Sequence, residues 1–113
     1  MYRDFANREY EDTELDTMRR DAREQKISEL QSRILAAVVR SATHHVKVIL
    51  KNGYDIHIER FTVQDMQSIT FLYGAWILNR QEVMGFRSPA CIESIAAWLR
   101  DIDFTGAHYE PVG

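Results

Sequence analysis

The stretch that decides the fold is Val46-Lys47-Val48-Ile49-Leu50-Lys51-Asn52-Gly53-Tyr54-Asp55-Ile56-His57-Ile58-Glu59. Apolar and polar residues alternate on both sides of Asn52-Gly53, the pattern of two half-buried strands joined by a tight turn. The register follows from what each loop length would pair. A two-residue loop sets Ile49 against Ile56 and Val48 against His57, which mixes polar and apolar side chains on both faces. A three-residue loop, Lys51-Asn52-Gly53, sets Leu50 against Tyr54, Val48 against Ile56 and Val46 against Ile58, so one face is wholly apolar. The second register is preferred, because a slip of one residue sends every apolar side chain to the wrong face. Its loop is a type I turn in which Gly53 supplies the left-handed residue of a G1 bulge. The opposite face then carries Lys47, Ile49, Asp55, His57 and Glu59.

Upstream, residues 13 to about 42 contain neither Gly nor Pro, and good helix formers dominate. Thr13 with Asp16 three positions on reads as a helix start. Ile27, Leu30, Ile34, Ala37 and Val38 recur at the 3,4 spacing of one buried helix face. Leu15, Met18 and Ala22 follow the same rule in a different phase. The helix therefore either breaks near Glu24–Lys26 or docks its two halves differently. Residues 1–12 lack periodicity and read as a flexible charged arm.

Downstream, Thr62 as cap, Asp65 at the third position, and Phe61 with Met66 as a staple predict a second helix. Met66 to Leu78 is apolar nearly all round, so this helix should be central, ending near Gly85. The rival reading makes Ile69–Leu78 a strand, given its branched and aromatic residues. Ser88-Pro89 then opens a last helix, with Ile92, Ile95, Ala96, Leu99 and Ile102 on its buried face. The expected architecture is a single small α+β domain over 13–104 in the order α-β-β-α-α. It comprises a long charged helix, a β-hairpin, a central apolar helix and a final amphipathic helix, followed by a loose tail over 105–113. Over residues 28–79, the order helix, hairpin with Asn52-Gly53 at its turn, and helix capped by Thr62 resembles the αββα topology of small phage head–tail joining proteins. The resemblance is one of topology and implies no role for any residue.

The chain has 113 residues, 45% hydrophobic and 27% charged, enough for one packed core. Its single cysteine, Cys91, excludes an internal disulfide. The N-terminus shows no apolar signal region, and Ile69 to Leu78 is too short to span a bilayer, so a cytoplasmic location without membrane contact is the expectation. The net charge of −3 hides a segregation: residues 1–16 sum to −4, residues 17–51 to +5 and residues 52–113 to −4. Arg19, Lys26, Arg33 and Arg40 recur every seven residues with Arg20 and Arg23 beside them. On a continuous helix they line one edge about 31 Å long. That edge, with Lys47, is the expected binding surface for a partner. It either lies along nucleic-acid phosphates or flanks an apolar helix–helix seam, and the negative net charge favours the seam.

No motif for nucleophilic, nucleotide-dependent or metal-dependent catalysis is present, so neither an enzyme nor a cofactor is expected. In the preferred register His45 faces Glu59 and Lys47 faces His57, so two histidines of His44, His45 and His57 with a carboxylate are the candidate metal ligands. Adjacent His44 and His45 point to opposite strand faces, and Lys47 repels a cation, so no metal site is expected. Cys91 falls near a helix start without a recognisable base, and reads as a packed small side chain. Phe71, Tyr73, Trp76 and Phe86 exceed what a small core can cover and are the expected oligomer interface, most simply of a homodimer. The leading functional expectation is a protein-binding accessory or inhibitor module, a role that suits small phage or mobile-element proteins. A nucleic-acid-binding regulator is the alternative.

Overall fold

The computed structural model describes residues 2–113, with side chains from Leu15 onward. The elements run α1 (Tyr2–Arg40), β1 (His45–Ile49), β2 (Tyr54–Gln64), β3 (Ile69–Asn79), β4 (Glu82–Ala90), α2 (Ile92–Trp98) and β5 (His108–Pro111). The five strands form one antiparallel sheet in the order β4-β3-β2-β1-β5. The chain is an α+β domain, but its order differs from the expected α-β-β-α-α in three places.

The hairpin adopts the three-residue register. Val46 faces Ile58, Val48 faces Ile56, and Lys47 faces His57. Gly53 sits at φ 90° and donates its N–H to the Leu50 carbonyl at 3.2 Å, while the Leu50 N–H reaches the Tyr54 carbonyl at 2.9 Å. Val46, Val48, Leu50, Ile56 and Ile58 are all buried. Against them pack Leu30, Ile34, Ala37 and Val38 of α1 and Ile95, Ala96 and Leu99 at α2. The helical face read at 27–38 is therefore the one that docks on the sheet.

The helix α1 neither starts at Thr13 nor breaks at Glu24–Lys26. The side chains of residues 1–14, which include the expected arm and the Thr13 cap, lie outside those described. Residues 15–26 are exposed throughout, with Leu15 and Met18 at 48% and 66%. The two apolar phases thus have different fates: the second docks, and the first projects past the sheet. The radius of gyration is 18.5 Å, against about 13 Å for a compact domain of this length.

The expected central helix is the first correction. Thr62 lies inside β2, and Ile69–Asn79 is β3, paired with β2 along its whole length from Gln64↔Ile69 to Tyr54↔Asn79. The Asp65 carboxylate does accept backbone N–H groups, from Gln67 and Ser68 at 2.8 Å each, but it closes a turn and caps no helix. With the helix gone, the topological resemblance to head–tail joining proteins lapses. The second correction is at Ser88-Pro89, which lies in edge strand β4, where a missing N–H is tolerated. The last helix begins only after Cys91 and holds seven residues. The third correction is the tail: residues 108–111 form β5 on β1, and Val112 donates its N–H to the His45 carbonyl at 2.9 Å.

Candidate functional site

Two helices cover only one face of the sheet. The register places His45, Lys47, Ile49, Asp55, His57, Glu59, Phe61, Leu72, Trp76, Leu78, Val83 and Phe86 on the other. This uncovered face changes character across the strands. Over β1 and β2 it is polar: Lys47 Nζ lies 3.6 Å from Asp55 Oδ2, and Glu110 of β5 stands beside Lys47. Over β3 and β4 it is apolar, with Trp76 beside Phe86 and Leu78 beside Val83.

A pair of imidazoles marks the border. His45 Nε2 and His57 Nδ1 are 2.9 Å apart, a distance at which one ring nitrogen donates to the other. The His57 ring stacks on Trp76 at 5.5 Å between centroids and 12° between planes. Burial, then the positive charges of His45 and Lys47, lower the His57 pKa, and Asp55 opposes them. The bond needs a bare ring nitrogen as acceptor, so at least one of the two rings is neutral.

Beyond β1 and β4, the ends of β2 and β3 pair only with each other. From Phe61↔Leu72 to Gln64↔Ile69 they form a two-stranded ribbon that stands off the sheet. Phe61, Val63, Met66, Ile69 and Phe71 are exposed there, Met66 fully. The Phe61 ring lies over Gly74, where a Cβ would come within 3.1 Å of Phe61 Cε2. On the ribbon's other side the Arg60 guanidinium sits 4.3 Å from the Phe71 centroid, a cation–π contact that ties the ribbon's base to the sheet.

The basic residues of α1 split into groups. Arg19, Arg20 and Arg23 are exposed on the projecting half. Lys26 and Arg33 line a groove of about 480 Å³ against Ile102–Gly106, where Arg33 also approaches the Tyr109 hydroxyl. Arg40 folds back and donates its Nε–H to the Ala36 carbonyl at 3.2 Å. Lys47 lies apart from all of them, on the uncovered sheet face.

The four aromatic residues read as an oligomer interface do not form one patch. Trp76 and Phe86 are neighbours on the uncovered face, Phe71 lies on the ribbon's other side, and Tyr73 is buried in the core. His44, at φ 55°, does not join the His45–His57 pair. Among the described residues no three metal-ligating side chains converge. Cys91 is exposed at the start of α2, where hydrogen bonds from Ser94 lower its pKa. Sequence reasoning missed Phe61, Val63, Ile69, Val83 and Met84 as surface residues. The rival strand reading of 69–78 would have turned half of that segment's positions outward, but of these residues only Ile69 lies in it.

No helix is long and apolar enough to cross a membrane among the described residues. No family model matches the chain, and neither a curated protein nor a solved structure matches it.

Proposed function

We propose that this chain is a small non-catalytic protein-binding module that acts by occupying a partner's surface, in the manner of an accessory or inhibitor protein. One observation carries the reading. Eight of the eleven exposed large apolar side chains among the described residues lie on the ribbon and on β4: Phe61, Val63, Met66, Ile69, Phe71, Val83, Met84 and Phe86. Four of them, Phe61, Val63, Val83 and Phe86, share the uncovered face, and at about 150 Å² per side chain their fractional exposures sum to on the order of 300 Å². A contiguous apolar patch of a few hundred Å² on one face is often functional. The polar half of the same sheet face gives an interface there its rim.

The test is affinity capture from native host extract with the wild-type chain and a Val63→Ser, Phe86→Ser variant in parallel. Both positions are exposed, so the variant keeps its core. A stoichiometric protein retained by the wild type and lost by the variant supports the reading. Equal capture by both, or no captured protein, refutes it.

Continuity of α1 through Lys26 favours a second reading, in which the stripe from Arg19 to Arg40 meets nucleic-acid phosphates. Binding would then weaken steeply with salt. Arg33→Glu with Arg40→Glu would abolish it, and unchanged retention of DNA and RNA by that variant would remove the idea.

A further inference from the structure

The sheet ends in two free edges of different length and composition. β5 has four residues, ends in Pro111, and sets His108 Nε2 3.4 Å from Glu110 Oε1. Shortness, charge and proline are the features that keep an edge from pairing with another chain. β4 has nine residues; its Pro89 lies outside the segment Glu82–Arg87, which holds neither proline nor lysine, and on that segment Val83, Met84 and Phe86 stand 60%, 54% and 64% exposed. Its only charged residues are Glu82 and Arg87, and neither enters an ion pair among the described residues.

The spacing of these residues is self-complementary. A second copy of β4 run antiparallel, about a two-fold axis through Met84–Gly85, sets Glu82 against Arg87 of the second copy and Val83 against its Phe86. In a regular strand this register would fail, because residues three or five apart point to opposite faces. The bulge in β4 corrects it. Val83 pairs with Leu78 and Gly85 with Ile77, so Met84 is an inserted residue. Val83 and Phe86 consequently both lie on the uncovered face, beside Leu78 and Trp76. Glu82 and Arg87 both lie on the helix-covered face, beside Asn79 and Ala75. A two-fold axis normal to the sheet keeps each face on its own side. One register therefore forms two ion pairs and two apolar pairs at once, and a shift of one residue sets Val83 against Arg87 from the opposite face.

We propose that the chain forms a two-fold dimer by antiparallel pairing of β4 with β4 of a second copy, in the register that opposes Glu82 to Arg87. The two sheets then make one of ten strands. The apolar half of the uncovered face becomes continuous across the junction, from Trp76 and Phe86 to Val83 and Leu78 of the second copy. This deepens the protein-binding reading by naming one partner of β4, and rests on that reading for the role of the exposed apolar surface. The ribbon stays free for another protein.

Sedimentation equilibrium of the full chain tests it. The wild type should sediment at twice 13.2 kDa. Glu82→Arg and Arg87→Glu should each raise the dissociation constant roughly ten- to thirtyfold, since each replaces two opposite-charge pairs with like-charge pairs. The double variant, with the charges exchanged, should return to near the wild-type value. Amides of residues 82–87 should exchange hydrogen more slowly above the dissociation constant than below it, and circular dichroism checks that each variant is folded. A monomeric wild type at about 100 μM, single variants that dimerise unchanged, or a double variant that does not recover would each overturn the dimer. If the chain is monomeric while Val63→Ser, Phe86→Ser still loses a captured protein, the dimer fails and the protein-binding reading stands. If the charge exchange rescues dimerisation and no other protein is captured, the dimer stands alone.

Discussion

Replacing Arg80-Gln81 with Asn-Gly should stabilise the fold, and the sign of the change decides between two structures of residues 62–85. The β3–β4 connection is a two-residue loop, since Asn79 pairs with Glu82. Arg80 and Gln81 sit at φ 52° and 72°, the left-handed region demanded at both central positions of a type I′ turn. Each residue with a Cβ pays about 1–2 kcal/mol to stay there. Glycine at position 81 removes that cost and returns about 0.5–1 kcal/mol through unfolded-chain entropy. Asparagine tolerates the left-handed region and recovers about another 0.5 kcal/mol at position 80. The net gain is about 1 kcal/mol. For a urea dependence of about 1.5 kcal/mol per molar, the unfolding midpoint rises by about 0.7 M with an unchanged slope. Were these residues the last turn of a helix, as the cap at Thr62 suggests, glycine at 81 would instead cost about 0.5–1 kcal/mol and the midpoint would fall. A lower midpoint, or no change, refutes the turn and with it the β3–β4 hairpin that builds the binding face.

Ile34→Ala removes a fully buried side chain at the helix–sheet contact and should cost about 2–4 kcal/mol in a urea titration; Leu15→Ala on the projecting half should cost less than about 0.5 kcal/mol. Gly53→Ala meets open space but keeps φ near 90°, so it should cost about 1 kcal/mol by backbone strain alone. His57 has a folded pKa below its ordinary value, because burial and nearby positive charge oppose protonation. The unfolded chain thus binds the proton first, and stability should fall as pH drops from about 6.5 toward the lower folded value. Melting temperatures between pH 7.5 and 5.5 should show that slope, and His57→Gln should flatten it.

The hairpin was legible because three independent signals agree on it. Asn52-Gly53 fixes the turn, alternation fixes the strands, and only one register leaves a face wholly apolar. The docked face of α1 was legible for a similar reason: Ile27 to Val38 matches one period and no other. The region from Thr62 to Leu78 fails on the same criterion. From Ile69 to Leu78 only Thr70 and Gly74 interrupt the apolar run, so periods of 2 and 3.6 fit equally well there, and Asp65 offers its carboxylate to two following N–H groups in a turn as readily as in a helix cap. Branched and aromatic content, which pointed to strand, was outweighed by a cap signal that local chemistry does not make unique. β5 gave even less: four residues around Pro111 become a strand only because β1 presents a free edge to them.

The apolar surface was illegible for a reason of supply. A five-stranded sheet has two faces, and covering both needs helices on both. Here α1 leaves the sheet before Lys26, and α2 is seven residues long, so the helical surface is enough for one face only. The second face must be polar or must find a partner. Its β1–β2 half is polar, with Lys47, Asp55, Glu59 and the histidine pair in contact with water. Its β3–β4 half keeps Trp76, Leu78, Val83 and Phe86, and the ribbon adds Phe61 and Val63 to the same side. Burial within this chain alone would not require Val63, Val83 and Phe86, each about half exposed or more, to be apolar. Their apolarity is placed where no helix of this chain reaches, and that location, rather than any motif, argues for a second macromolecule.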